Sequence, residues 1–427
     1  MPLANSKITA GQTACRLTRD FYSALLNIYP NIIRMFNLVK ADRIQKNNST
    51  KFRLAELFCG PGGLSFGAKS SRIVDSTGSI YEIEPVWAND IDENTCKTYA
   101  KNIHHGDMSK VVCAPVETID FRKVPSFDVL AFGFPCNDFS VVGEQKGFNG
   151  KFGPLYNFGV KAINIHNPKW FMAENVSGLQ SANGGRAFEK ILEDLEDAGE
   201  GYRITAHQYK FEEYGVPQTR HRVVIIGIRK DLGLEFRVPA PISANKYISA
   251  KYAIENPPIE RDAPNNEMTA QSKIVEERLK YIPPGENAWY SAIPKYLQLN
   301  VKGAKLSQIY KRLHQDKPSY TITGSGGGGT HGYHWSENRA LTNRERARIQ
   351  TFPDNFVFEG SKESVRKQIG MAVPPKAAKI ISEAVLKTFA GVNYDWVYAN
   401  ITDKRKNEKV SSNQEEMFVF QPAIVAG

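Results

Sequence analysis

At 427 residues the chain is long enough for two or three domains of roughly 100–200 residues each, and a composition of 41% hydrophobic and 23% charged residues is that of a folded globular protein. No apolar run approaches the ~18–20 residues of a membrane span, and the opening MPLANSKITAGQTACRLTRD holds no apolar signal core, so a cytoplasmic protein without a membrane partner is expected. The formal net charge of +10 admits a polyanionic partner such as nucleic acid without requiring one.

Residues 1–50 read as an N-terminal extension: a helix through DFYSALLNIYPNIIRMFNLVKADRI, interrupted by Pro30, then the polar exit QKNNST. From residue 51 the pattern becomes α/β and continues to about 235. RLAELF (53–58) is a short apolar run ending in the glycine-rich CGPGG, and YEIEPVWAND (81–90) ends in an acid. FDVLAFGF (127–134), KWFMAENV (169–176) and RVVIIGIR (222–229) are further strand candidates. Helical stretches lie between them at 92–102 and 185–200, the latter with apolar residues at 188, 191, 192 and 195, one helical face. Such alternation predicts an open, largely parallel sheet, in which a site lies beyond the carboxyl ends of the strands. Residues 236–335 are irregular, rich in proline at first and ending in TGSGGGGTHGYH; they read as a second, smaller domain. Residues 336–390 carry a helix capped by Thr342 with Glu345 three residues on, and another helix at 376–389. Residues 391–427 lose periodicity and read as a tail.

The five cysteines (Cys15, Cys59, Cys96, Cys113, Cys136) are odd in number and show no C-x-x-C pairing, which argues against a disulfide framework or a zinc site. His331 and His334 are closely spaced within a glycine-rich loop, and no metal is expected there.

The chemistry-bearing residues fall at strand ends. Phe58-Cys59-Gly60-Pro61-Gly62-Gly63 follows a strand and opens a helix, where glycines admit a close ligand; the spacing is not that of a dinucleotide fold. Asp90 ends the next strand, where a carboxylate can accept the hydroxyls of a ribose. Cys136 follows Pro135 in GFPCNDFS, Glu174-Asn175 ends the following strand, and Gln218-x-Arg220-x-Arg222 leads into the last one. A partly desolvated carboxyl such as Glu174 can act as an acid, and a guanidinium can bind a phosphate or a carbonyl oxygen.

In this order the motifs resemble those of the bacterial cytosine-5 DNA methyltransferases of restriction–modification type. FCGPGG looks like the first motif, GFPCNDFS the nucleophile motif, AENV the Glu-Asn-Val motif and QTRHR the Gln-x-Arg-x-Arg motif; RALTNRERARIQTFPDNF and QIGMAVP resemble the ninth and tenth. The resemblance spans about residues 53–390. It implies a Rossmann-like S-adenosylmethionine-dependent methyltransferase sheet with a smaller target-recognition domain at 236–335, and methyl transfer to carbon 5 of a flipped-out cytosine in double-stranded DNA. By the resemblance Cys136 is the nucleophile at carbon 6, Glu174 meets the ring at N3 and the exocyclic amine, Arg222 holds the O2 carbonyl, and Arg220 supports that face or a phosphate. S-adenosyl-L-methionine is expected against Phe58, Gly60, Gly62, Gly63, Asp90, Ile91, Pro135, Leu155, Met371 and Ala372, with either Glu117 or Asp107 on the adenine amino group.

DNA contacts are expected from Ser140, Lys146, Lys151 and Gln218, the first three in a closing loop at 139–156. The chain departs from the family pattern in Ile91, where an aromatic residue is usual, in Phe152, where a loop arginine is usual and Lys151 can substitute, and in Met371, where asparagine is usual. No clean Thr-Leu pair stands near the recognition region, the nearest candidates being Thr321-Ile322 and Thr323. A monomer is expected, with a cognate restriction endonuclease as a genetic partner. The alternatives are a transfer-RNA cytosine methyltransferase of the same fold and an inactive DNA-binding relative; glycine spacing disfavours a nicotinamide dehydrogenase.

Overall fold

The computed structural model describes residues 49–134, 155–244, 246–300, 306–324 and 328–401. An eight-stranded sheet is built from Ser49–Leu57 (β1), Arg72–Val74 (β2), Ile80–Asp90 (β3), Val111–Cys113 (β4), Val129–Phe132 (β5), Trp170–Val176 (β6), Tyr202–Lys210 (β7) and His221–Arg229 (β8). Its order is β2-β3-β1-β5-β6-β8-β7, with β4 paired to the far end of β3. The strands β4, β3, β1, β5 and β6 run parallel. The largely parallel expectation needs one amendment: β2 is antiparallel to β3, and β8 is antiparallel to both β6 and β7.

The central strands are apolar because both faces are covered. Leu130 and Phe132 of β5 point into one core, with Phe188, Ile191, Leu192 and Leu195 from helix Arg186–Glu196 and Ile163 from helix Tyr156–His166. Val129 and Ala131 point into the other, against Leu64 of helix Gly63–Lys69 (α1) and Ala377, Ala378, Ile381 and Val385 of helix Pro375–Ala390. The 376–389 expectation is thus a core helix that returns from the far end of the chain to the back of the sheet.

That return explains two glycines. A Cβ on Gly63 would stand 2.2 Å from the Val373 carbonyl oxygen, and one on Gly67 2.7 Å from the Ala378 Cβ. Backbone, not a movable side chain, blocks position 63. Gly63→Ala is expected to lower stability by about 2–3 kcal/mol, as overpacking does, read as a lower urea midpoint with an unchanged slope.

The described residues between 240 and 340 form little regular structure. Helices Ala250–Glu255 and Lys273–Leu279 are short, and Leu279, Ile282, Ile293, Leu297, Tyr333 and Ala340 make a small core of their own. Helix Asn343–Ile349 begins at the expected capping box: the Glu345 N–H donates to the Thr342 hydroxyl at 3.1 Å and the Thr342 N–H to the Glu345 carboxylate at 2.8 Å. Among the described residues no helix is long and apolar enough to cross a membrane.

Candidate active site

Parallel strands bring their carboxyl ends to one edge. Leu57, Asp90, Phe132 and Val176 end β1, β3, β5 and β6 there, and β8, running the other way, begins there at His221. Val176 pairs with Arg222 and Glu174 with Val224 across β6 and β8, so Glu174 and Arg222 are diagonal neighbours on one face. The Arg222 Nε lies 3.1 Å from a Glu174 carboxylate oxygen, and both side chains are mostly buried. Burial pushes the Glu174 carboxyl above its ordinary range, and the charges of Arg222 and Arg220 pull it part of the way back.

The chain entering the Pro-Cys turn is held against this pair. A Cβ on Gly133 would meet the Glu174 carboxylate at 3.4 Å. Asn175, buried beside Glu174, donates from its amide to the Phe134 carbonyl at 3.1 Å and accepts from the Val176 N–H at 2.8 Å. Phe134 immediately precedes Pro135 and Cys136. Asn175 lies inside the Glu-Asn-Val motif, yet sequence alone assigned it no task; only the contact with a residue 41 positions away reveals one. Pro135, Cys136, Ser140, Lys146, Lys151 and Phe152 lie outside the described residues.

At β1 and β3 a second set assembles. Phe58 and Gly60 both adopt left-handed backbone, at φ 53° and 54°, turning the chain sharply off the strand. One Asp90 oxygen accepts the Gly60 N–H at 2.9 Å and the other accepts the Asp92 N–H at 3.0 Å. Each oxygen keeps a further lone pair, which suits the two hydroxyls of a ribose. Among the described residues nothing lies within 4 Å of a Cβ placed on Gly60, whereas Gly62 (φ 95°) backs onto the Tyr99 ring and Gly63 onto Val373. Open space for a ligand therefore faces Gly60; at 62 and 63 the missing side chain serves packing. Ile91 is exposed, Leu155 is in the core, Ala372 is buried and Met371 is exposed. Glu117 follows the carboxyl end of β4, which pairs with Asp90, while Asp107 precedes the other end of β4 and caps its own turn through Ser109.

Beneath the glycine turn lies a group that sequence reading passed over. Glu56 is buried on β1; Ser65 of α1 donates to it, and Tyr99 of helix Glu93–Ile103 (α2) donates to Ser65 at 2.7 Å. Burial raises its carboxyl from 4.5 to about 8, with the bonds from Ser65 and Tyr99 acting in the opposite direction. The native state therefore keeps this proton over a range in which the unfolded chain releases it. The resulting stability is full below about pH 4.5 and is lost as pH rises through about 8. Glu56→Gln should remove that component, so that the difference in melting temperature between variant and wild type grows in the variant's favour from acid to alkaline pH.

Two expectations are corrected. Gln218 does not reach DNA: it is fully buried, its amide donates to Gln350 at 2.9 Å, and its carbonyl accepts the Ile322 N–H at 2.8 Å. Arg220 has no face for a phosphate, because its guanidinium is buried and donates to the carbonyls of Ile322 at 3.2 Å and Gly370 at 3.1 Å. Together these two residues clamp the Thr321-Ile322-Thr323 segment between β8 and helix Lys362–Met371, where Gly370 packs directly on Thr323 and Gly324.

The comparisons with known proteins agree with this arrangement. The family model for C-5 cytosine-specific DNA methylase matches residues 52–387. The chain is 57% identical over 370 residues to the type II methyltransferase M.BbvI of Brevibacillus brevis, covering 85% of this chain and 97% of that protein. It is 41% identical over 372 residues to the type II methyltransferase M.NgoFVII of Neisseria gonorrhoeae, covering 85% and 93%. A crystal structure assigned to a DNA modification methyltransferase encoded within an E. coli prophage superposes with a TM-score of 0.61 at 22% identity, covering 79% of this chain and 99% of that one, and shares the fold. The sheet with its reversed β8, the ordered strand-end residues and these matches together place the chain in the family of C-5 cytosine-specific DNA methylases, S-adenosylmethionine-dependent enzymes that methylate cytosine in DNA.

Proposed function

We propose that the protein methylates one flipped-out cytosine within a specific sequence of double-stranded DNA, through a transient bond from Cys136 to carbon 6, and protects host DNA in a restriction–modification system. The observation that carries this is the Glu174–Arg222 pair beside Gly133, with neighbouring Asn175 bonded to Phe134; Gly133 and Phe134 are the two residues that lead into Pro135-Cys136. A pyrimidine ring over that pair meets a carboxyl at its N3 and exocyclic-amine edge and a guanidinium at its O2 carbonyl. Thiolate addition pushes negative charge onto those atoms. Glu174, its carboxyl pushed up by burial, supplies the proton or hydrogen bond they need, and Arg222 stabilises the carbonyl oxygen. None of these atoms is reachable within a duplex, so the base leaves the stack.

S-adenosylmethionine, when bound, supplies an electrophilic methyl group for carbon 5. Asp90 would hold its ribose, Gly60 would give it room, Phe58 and Ile91 would flank the adenine, and Leu155, Pro135, Met371 and Ala372 would shape the cleft, while Gly62 and Gly63 set the turn by packing on Tyr99 and Val373. Glu117, on the same edge as Asp90, meets the adenine amino group in preference to Asp107. Arg220 acts by positioning, tying Ile322 and Gly370 beneath the base site. Ser140, Lys146 and Lys151 contact DNA from the 139–156 loop, and residues 236–335 choose the sequence. The enzyme works in the cytoplasm as a monomer, with a cognate endonuclease as its genetic partner; two of its relatives are named type II methyltransferases.

Incubation with labelled cofactor and mixed-sequence duplex, followed by bisulfite sequencing, tests this reading. Label should enter duplex DNA at one cytosine of one sequence. Unmodified duplex alongside labelled transfer RNA would overturn it.

A further inference from the structure

Three thiols surround the end of β3, and the reaction uses none of them. Cys59 and Cys96 are buried, and Cys113 is exposed. Cys96, in the first turns of α2, donates to the Asp90 carbonyl at 3.5 Å; Cys113, the last residue of β4, donates to the Ile91 carbonyl at 3.8 Å. Two sulfurs from different elements thus sit on consecutive carbonyls, the Cys113 side chain beside the Cys96 thiol, which burial pushes up. Cys113 is exposed and so open to a small reagent, whereas Cys96 behind it is buried. The spatial pairing was not visible in sequence, because the two residues are separated by a helix, a turn and a strand.

We propose that Cys113 and Cys96 form a thiol–disulfide exchange site, in which Cys113 accepts one half of a small disulfide and Cys96 resolves it. In the first step the Cys113 thiolate attacks a small disulfide such as oxidised glutathione; one sulfur stays on Cys113 and the other leaves as a thiolate. In the second, the Cys96 sulfur attacks the Cys113 sulfur and gives up its proton to the departing glutathione thiolate. The protein loses two hydrogens and the small disulfide is reduced to two thiols. Closing the bond to ~2.05 Å draws both sulfurs off the carbonyls of Asp90 and Ile91 and pulls α2 toward β4. The consequence for the enzyme rests on the proposed place of Asp90 and Ile91 in the cofactor cleft: the oxidised form binds S-adenosylmethionine more weakly.

The test uses the full chain carrying Cys136→Ser, so that oxidation at the nucleophile cannot enter the readout. After incubation with oxidised glutathione and blocking with N-ethylmaleimide, peptide mass spectrometry should find Cys96 linked to Cys113. Equilibrium binding of S-adenosylmethionine should weaken by about tenfold, recover with dithiothreitol, and stay unchanged when Cys113→Ser is added. A glutathione held on Cys113 with Cys96 still alkylatable after denaturation, or a bond from Cys96 to Cys59, overturns the site. A mapped Cys96–Cys113 bond with unaltered cofactor affinity overturns its consequence. Failure of the reduced protein to bind the cofactor at all counts against the cleft assignment, while the mapped bond stands on its own.

Discussion

Replacing Cys136 with serine should abolish methyl transfer, by about 10⁴-fold or more, while leaving duplex binding close to wild type. Carbon 5 of cytosine is a weak nucleophile until a group adds at carbon 6. A thiolate can do that near neutral pH because an appreciable fraction of a thiol is ionised there, whereas a serine hydroxyl is not. Binding should survive because phosphate contacts from Lys and Arg supply most of the affinity for DNA. Tritium transfer from labelled cofactor reads the first quantity and gel retardation the second. A duplex carrying 5-fluorocytosine sharpens the result: fluorine cannot leave as the C5 proton does, so wild type should remain covalently attached and the serine variant should not. Wild-type turnover by Cys136→Ser would remove the covalent mechanism.

Glu174→Gln should lower kcat by about 10²–10⁴-fold, the usual range for a positioned acid or base, with a much smaller change in DNA affinity. The amide matches the carboxyl in shape but has no acid proton to give, and it leaves the Arg222 guanidinium without its charge partner at 3.1 Å. The pH profile separates these effects. Burial raises the Glu174 carboxyl, so the protonated acid persists to higher pH than an ordinary carboxyl, and activity that needs it declines as pH rises through that value. The glutamine variant should lack this decline. A variant that keeps both the rate and the pH dependence would show that Glu174 does not touch the reaction.

The strand ends were legible because each of β1, β3, β5 and β6 is an apolar run that stops at a chemically distinct residue, and β8 is one that starts from such residues. β7 was not: YRITAHQYK mixes Arg203, His207 and Gln208 into the strand, as befits one with a single neighbour in the sheet. The capping box at Thr342 was legible because it is local. Gln218 was misread because its partners, Ile322 and Gln350, lie 104 and 132 residues away; a buried amide and a DNA-reading amide share one spelling. Asn175, Glu56 and Tyr99 were missed for the same reason, since burial is a property of the assembled sheet.

Gly63 and Gly67, near the start of the sheet, lie directly beneath Val373, Pro375 and Ala378. On the ribosome the glycine turn therefore emerges some three hundred residues before the segment that covers it. Domains generally fold as they are synthesised, but the packing behind this turn has to wait for nearly the whole polypeptide. Prematurely terminated products are consequently born with the back of the glycine turn uncovered.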